Sequence, residues 1–192
     1  MILATNNKGK LEEIRKILND FEIFSLKDKN INIDVIEDAD SFFGNAKKKA
    51  LEIYEITNEE VIADDSGLCI TCLNDFPGVM THRFLGDNAT DKERNEYLIN
   101  EISKFSDRSA KVVCVLVYYN GNEIITGEGV LNGTISYERR GNNGFGFDEI
   151  FELESGKTLA ELTPEEKNQI SARALAASDL KRKLNNQYKK GF

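Results

Sequence analysis

Apolar residues along this chain recur with a strand period in some stretches and a helix period in others, and the switches between them describe an α/β protein. The opening run Met1-Ile2-Leu3-Ala4 is short and apolar, as a buried strand requires. Leu11, Ile14, Ile17 and Leu18 then fall on one helical face, which predicts a helix reaching about Asn19. A strand is expected near Phe21–Leu26. Ser41 next stands as a cap before a helix that turns Phe42, Ala46, Ala50, Ile53 and Tyr54 inward. Val61-Ile62-Ala63 reads as a buried strand ending at Asp64-Asp65, with Ser66-Gly67 turning the chain. Asp91 to Ser103 is expected to be helical, with Tyr97, Leu98 and Ile102 inside. The unbroken apolar run from Val112 to Tyr119 predicts a central strand covered on both faces. Asn120-Gly121 then turns it into a second strand from Glu123 to Val130.

Thr163-Pro164-Glu165-Glu166 carries a capping box with proline at the first helical position, opening a helical segment to about Leu184. In one continuous helix, Lys167 and Arg173 would diverge by about 120°. A break near Asn168–Ile170, with Ser171 capping a second helix, would let both serve one pocket.

Bulk composition narrows the function classes. A chain of 192 residues with a formal charge of −8 lacks the basic stripe that a broad nucleic-acid surface needs, although local lysines still suit a small phosphate ligand. Its length suits one domain over residues 1–192, or one domain with two lobes. No apolar run is long enough to span a bilayer, and the opening Met1-Ile2-Leu3-Ala4 leaves no room for a signal peptide, so a cytoplasmic address and no membrane partner are expected. Cys69 and Cys72 lie in an alternating run, where residues three apart face opposite sides, which favours buried thiols over a shared metal. His82 is the only histidine, so histidine-based nucleophilic chemistry has almost no material.

Three stretches carry candidate chemistry. Asp64 and Asp65 are adjacent acids that are costly to keep close without a cation, and such oxygens suit a hard ion like Mg²⁺. Alone, the same stretch is an ordinary strand with an Asp-Ser-Gly turn. Thr5-Asn6-Asn7-Lys8-Gly9-Lys10 feeds a helix N-terminus, whose free N–H groups and partial positive charge suit an anion. Gly144-Phe145-Gly146-Phe147-Asp148 is a glycine-rich loop with two aromatic faces. Glu37 lies just before a helix, where its carboxylate is either aimed into a site or solvated.

These stretches, with Asn45-Ala46, Lys49-Ala50, Glu165-Glu166-Lys167 and Ser171-Ala172-Arg173, occur in one order over nearly the whole chain. Together they resemble the inosine triphosphate pyrophosphatase family, and Ala63-Asp64-Asp65-Ser66-Gly67-Leu68 is the most specific part of the likeness. The resemblance implies an α/β fold with a long curved mixed β-sheet, flanking helices, and two lobes around a central cleft. It also implies a homodimer and Mg²⁺-dependent hydrolysis of inosine, deoxyinosine and xanthosine triphosphates (ITP, dITP, XTP) to monophosphate and pyrophosphate. Such an enzyme cleanses the nucleotide pool of non-standard purines. By position, Glu37 and Asp65 would hold the metal and Asp65 would activate water, with Asp64 in reserve. Thr5, Asn6, Asn7, Lys8, Gly9, Lys10 and Ser66 would hold the triphosphate. Phe145, Gly146, Phe147, Asp148, Lys167, Ala172 and Arg173 would line the substrate side, with an aromatic ring on the base. Lysine and arginine only donate hydrogen bonds, so a pocket they line favours a 6-oxo purine over adenine.

The chain departs from the family pattern at several points. Ala172 stands where the family usually has histidine, Gly44 where it has glutamate, and Thr81-His82-Arg83 where Ser-Ala-Arg is more common. Phe147 and Glu149 flank Asp148 in place of tyrosine and proline. These changes bear on base selectivity and leave Glu37, Asp65 and the phosphate turn intact. They raise the expectation that His82 replaces the contact missing at Ala172. Two alternatives remain: a related pyrophosphatase with altered base choice, and a nucleotide-binding regulatory protein without turnover.

Overall fold

A computed structural model describes residues 1–86 and 88–188 of the chain. Within them one mixed sheet contains β1 Ile2–Leu3, β2 Phe24–Ser25, β3 Val61–Ile70, β4 Phe76–Pro77, β5 Ser109–Tyr119, β6 Ile124–Ile135 and β7 Phe151–Glu152. The strand order is β2-β1-β3-β5-β6-β7, with β4 paired to β3. β1 runs parallel to β2 and β3, with Ile2 opposite Phe24 and Val61, whereas β3–β4 and β6–β7 are antiparallel. The helices are α1 Lys8–Ile17, α2 Phe42–Thr57, α3 Asp91–Ile102, α4 Pro164–Ile170 and α5 Ala172–Tyr188. The α/β class and the mixed sheet with flanking helices are those expected. No helix among the described residues is long and apolar enough to cross a membrane.

The chain forms two compact units. The first contains Met1–Ser66, Cys114–Gly129 and the chain from Ala172 onward; the second contains Gly67–Val113 and Val130–Ser171. In the first unit, α1 packs on α5, and Ile14 and Leu18 at α1 and Leu180 and Leu184 of α5 are buried. The seat of α5 on β6 depends on two glycines. A Cβ on Gly129 would collide with the Ala172 carbonyl, and one on Gly127 with that of Ala176. Alternate strand residues share a face, so both glycines open the same side of β6 to the helix backbone. Buried Ala172 and Ala176 complete this close approach from the α5 side. Gly129→Val is therefore expected to destabilise the fold by about 3 kcal/mol, since the obstacle is backbone and cannot swing away. A thermal melt should fall by roughly 6–12 °C; an unchanged melt would mean that α5 does not depend on this contact.

The observed elements correct several expectations. Asp64 and Asp65 do not end a strand: β3 continues through Ser66 and Gly67 to Ile70, with all ten residues buried. Buried cations, rather than a solvent-facing turn, compensate Asp64. Cys72 lies beyond the strand in a 3₁₀ turn over Thr71–Leu73, so strand alternation does not separate it from Cys69. Both are free thiols, as is Cys114. β2 keeps only two residues of the expected strand, while β5 and β6 extend further than their apolar runs. On α3 the buried face is Arg94, Asn95, Leu98 and Ile102, whereas Tyr97 is 39% exposed. That face keeps helical spacing but begins with polar residues, because backbone groups from neighbouring loops satisfy them. The break before Arg173 is present: α4 ends at Ile170, Ser171 is extended with ψ 151°, and α5 starts at Ala172.

Candidate active site

The predicted residues gather into two groups, one in each unit. In the first, β3 places Asp64 and Asp65 in different surroundings, as successive strand residues must be. The Asp64 carboxylate, 1% exposed, lies 2.9 Å from Lys10 Nζ and 3.7 Å from Arg173 Nε. Burial opposes its charge, but Lys10, Arg173 and Lys49 outweigh burial and hold this carboxyl well below the usual carboxylate range. Asp65, 3% exposed, accepts hydrogen bonds from Asn45 Nδ2 at 2.9 Å and from the Ser66 N–H at 2.9 Å. Here burial prevails. It pushes Asp65 up to about 6, with Lys49 and Asn45 opposing and Glu37 and Asp64 adding to the rise. One acid is thus locked as an anion and its neighbour is poised near neutrality.

Helix α2 connects this pair to Glu37. Lys49 Nζ donates to Glu37 Oε1 at 2.6 Å and to the Asp64 carbonyl. Burial opposes the Lys49 charge, yet Asp64 and Glu37 raise its pKa. One turn earlier, Asn45 uses both ends of its amide: Nδ2 holds Asp65 while Oδ1 accepts the Ala39 N–H at 2.9 Å. The segment carrying Glu37 is thereby fastened to the helix that holds Asp65. Gly44 belongs to this arrangement, since a Cβ there would come within 2.8 Å of Ala39 Cβ and 2.9 Å of Ser41 Oγ. Asn45 and Lys49 are the central residues that the sequence-based assignment of roles omitted. Their signal was the four-residue spacing that puts both on one face of α2.

The Thr5–Lys10 turn precedes α1 as expected. Asn7 caps the helix by accepting the Lys10 N–H at 3.1 Å, and Thr5 Oγ1 accepts the Asn7 N–H at 3.2 Å. Asn6, Asn7 and Lys8 are exposed, with Gly9 partly so. Lys10 is turned inward to Asp64, so only Lys8 offers a solvent-facing charge from this turn. Arg173 also belongs to this first group. It pairs with Glu13 Oε2 at 2.5 Å and donates to Ser66 Oγ at 3.3 Å. Glu13 was not identified from the sequence, because its partner is 160 residues away. Ala172 contributes only a buried methyl group and the carbonyl that meets Gly129.

The second group is built around the glycine-rich loop. Lys167 of α4 donates to Asp148 Oδ2 at 2.7 Å and sits 4.6 Å from the centre of the Phe145 ring. The same Asp148 oxygen accepts the Phe145 N–H at 2.8 Å. Gly144 has φ +82° and Gly146 φ +65°, and a Cβ on Gly144 would strike the Asp148 carboxylate. His82 stands beside this loop: its Cε1 is 3.9 Å from where a Cβ on Gly146 would lie.

Among the described residues, no group of three or more His, Cys, Asp or Glu side chains is arranged for a metal ion. Glu37 and Asp65 nevertheless fit a hard divalent cation. Both offer oxygen, the Glu37 charge adds to the cost of ionising Asp65, and burial leaves Asp65 short of compensating positive charge.

Three comparisons place this site in a family. A dITP/XTP pyrophosphatase of Clostridium tetani (strain Massachusetts / E88) is 38% identical over 191 residues, covering 96% of this chain and 95% of the relative. One of Clostridium perfringens (strain 13 / Type A) is 43% identical, covering 95% and 96%. The solved structure of the Staphylococcus aureus Ham1 protein superposes with a TM-score of 0.89 at 34% identity, covering 97% of this chain and 98% of that one. The description of the Ham1 family matches residues 1–183. With the acidic strand, the phosphate turn and the glycine-rich loop in their family order, this chain belongs to the Ham1 family.

Proposed function

We propose that the chain is a Mg²⁺-dependent pyrophosphatase that hydrolyses ITP, dITP and XTP to nucleoside monophosphate and pyrophosphate. The observation that carries this reading is the buried Asp65 carboxylate, held by the Asn45 amide and the Ser66 N–H beside the Lys49–Glu37 pair. In the metal-free protein burial also raises its affinity for a proton, which suits a general base. Glu37 and Asp65 would hold Mg²⁺, which would supply charge neutralisation over the phosphates. Asp65 takes the proton as the water oxygen attacks the α-phosphorus. The bond from that phosphorus to the bridging oxygen breaks, and pyrophosphate leaves. Lys49 keeps Glu37 and the Asp64 backbone in place, and Asp64 holds Lys10 and Arg173 as fixed positive charges.

Thr5, Asn6, Asn7, Lys8, Gly9 and Lys10 serve the triphosphate through the free N–H groups of α1 and the lysine charges, with Ser66 and Arg173 beside them. The Phe145 ring stacks on the base, and Lys167, held by Asp148, donates to its 6-oxo group. The working form is a cytoplasmic homodimer.

The test is pyrophosphate release from ITP, XTP, ATP and GTP, each with Mg²⁺ and with chelator. Mg²⁺-dependent turnover of ITP and XTP well above ATP and GTP is expected. Preference for another base would show altered selectivity, and binding without release would mean a nucleotide-binding protein.

A further inference from the structure

The glycine-rich loop is held at Asp148 and at Gly146, and the grip on Gly146 involves none of the residues assigned to the base; at Asp148 the Ala160 N–H also donates to the backbone carbonyl at 3.0 Å. From α4, Lys167 fixes Asp148. From α3, a second pair of residues grips the middle of the loop. Asp91 Oδ2 accepts the Gly146 N–H at 2.8 Å, and Asn95 Nδ2 donates to the Gly146 carbonyl at 2.9 Å. Asp91 and Asn95 are four residues apart on one helical face, so a single turn of α3 reads both backbone groups of one residue. We propose that Asp91 and Asn95 are positioning residues for the reaction: by clamping Gly146 they set where Phe145, Phe147 and Asp148 stand for the substrate.

Three observations carry this. First, Asn95 is only 2% exposed and shares its buried stripe with Leu98 and Ile102, where an apolar side chain would ordinarily stand. An amide there is costly unless bonded, and its N–H is committed to the Gly146 carbonyl. Second, Gly146 has φ +65° and Gly144 lies two residues earlier at +82°, while the bonds between Phe145 and Asp148 that close the turn do not involve Gly146 itself. The α3 pair bonds Gly146 directly. Third, α3 is itself fixed against its surroundings. Arg94, between the two clamp residues, donates to the carbonyls of Phe84 at 3.0 Å, Ala89 at 2.6 Å and Gly86 at 2.8 Å. Thr90 and Glu93 close a capping box at the helix start. Asp91, Asn95 and Gly146 border a cavity of about 10 Å³, room for about one water, whose lining also includes Leu68, His82 and Phe147.

The role in turnover rests on the pyrophosphatase reading, so the experiment has one arm that does not. Asn95→Ala and Asp91→Ala are compared with wild type and with Asp91→Asn, whose amide oxygen still accepts the Gly146 N–H. Backbone amide exchange is followed over residues 144–148 of the full chain, and kcat and KM are measured for ITP and ATP with Mg²⁺. The alanine variants are expected to lose protection at these amides. They should also raise KM for ITP about tenfold with a far smaller change in kcat, and narrow the preference for ITP over ATP. Asp91→Asn should recover most of both. Wild-type exchange in the alanine variants, or loss of protection with KM and preference unchanged, overturns the proposal. If wild type itself fails to turn over ITP, the pyrophosphatase reading falls and this role in turnover falls with it; the exchange arm still decides whether the clamp exists.

Discussion

Asp65→Asn is expected to lower kcat for ITP about a thousandfold, the scale of a lost general base, while making the metal-free protein more stable at pH 8. The two effects share one cause. Asp65 has a folded pKa of about 6 against an ordinary value of 3.8, chiefly because it is buried. Below about pH 4 the carboxyl is protonated in both folded and unfolded chains and contributes nothing. Between the two values the unfolded chain has released its proton and the folded one has not, so stability falls as pH rises. Above about pH 6 the folded protein carries the full cost of an ionised Asp65, on the order of 3 kcal/mol. Asparagine keeps the shape, the oxygen that accepts from Asn45 or Ser66, and no charge. Melting curves in chelator should therefore nearly coincide at pH 4 and separate at pH 8, with the variant higher. Undiminished turnover would remove Asp65 as the base. Coincident melts at pH 8 would remove the account of its raised pKa.

The adjacent acid should respond in the opposite sense. Asp64→Asn is expected to cost about 3–5 kcal/mol, because it leaves Lys10 and Arg173 buried without their shared anion. In a chain of this size that is a fall in melting temperature of about 10 °C. The pH signature follows from the lowered pKa: the stabilisation is complete above the ordinary carboxylate value of 3.8 and is lost only as pH falls through the depressed folded value. The gap between wild type and variant should therefore be wide at pH 7 and close in strong acid. Adding Lys10→Met to Asp64→Asn should recover part of the loss, since it removes one stranded cation. A single variant that melts like wild type at pH 7 would show that the Lys10–Asp64–Arg173 group does not hold the fold.

Much of this was legible in the order of residues. The helical faces of α1 and α2, the interior position of β5 and the break between Lys167 and Arg173 follow from period, capping and the geometry of a helix. The two acids were recognisable as a candidate centre because such residues interrupt an otherwise apolar strand. Their setting was not. The sequence presents Asp64-Asp65-Ser66-Gly67 as a strand end and a turn, because acids and glycine in water prefer to leave a sheet. Only Lys10, Lys49 and Arg173, brought in from three helices, allow the strand to run on through them. The same limit explains Tyr97. By type it belongs inside α3, but Arg94 and Asn95 take the inner face because loop carbonyls distant in sequence satisfy them.

The sequence by itself determined the elements, the family and the identity of the acids, since these depend on local periodicity and on a motif order that spans the chain. The tertiary structure alone decided which acid is the fixed anion and which is the poised base. That choice rests on differences in burial and on the distances to cations far away in the chain, and neither quantity is a property of two adjacent aspartates.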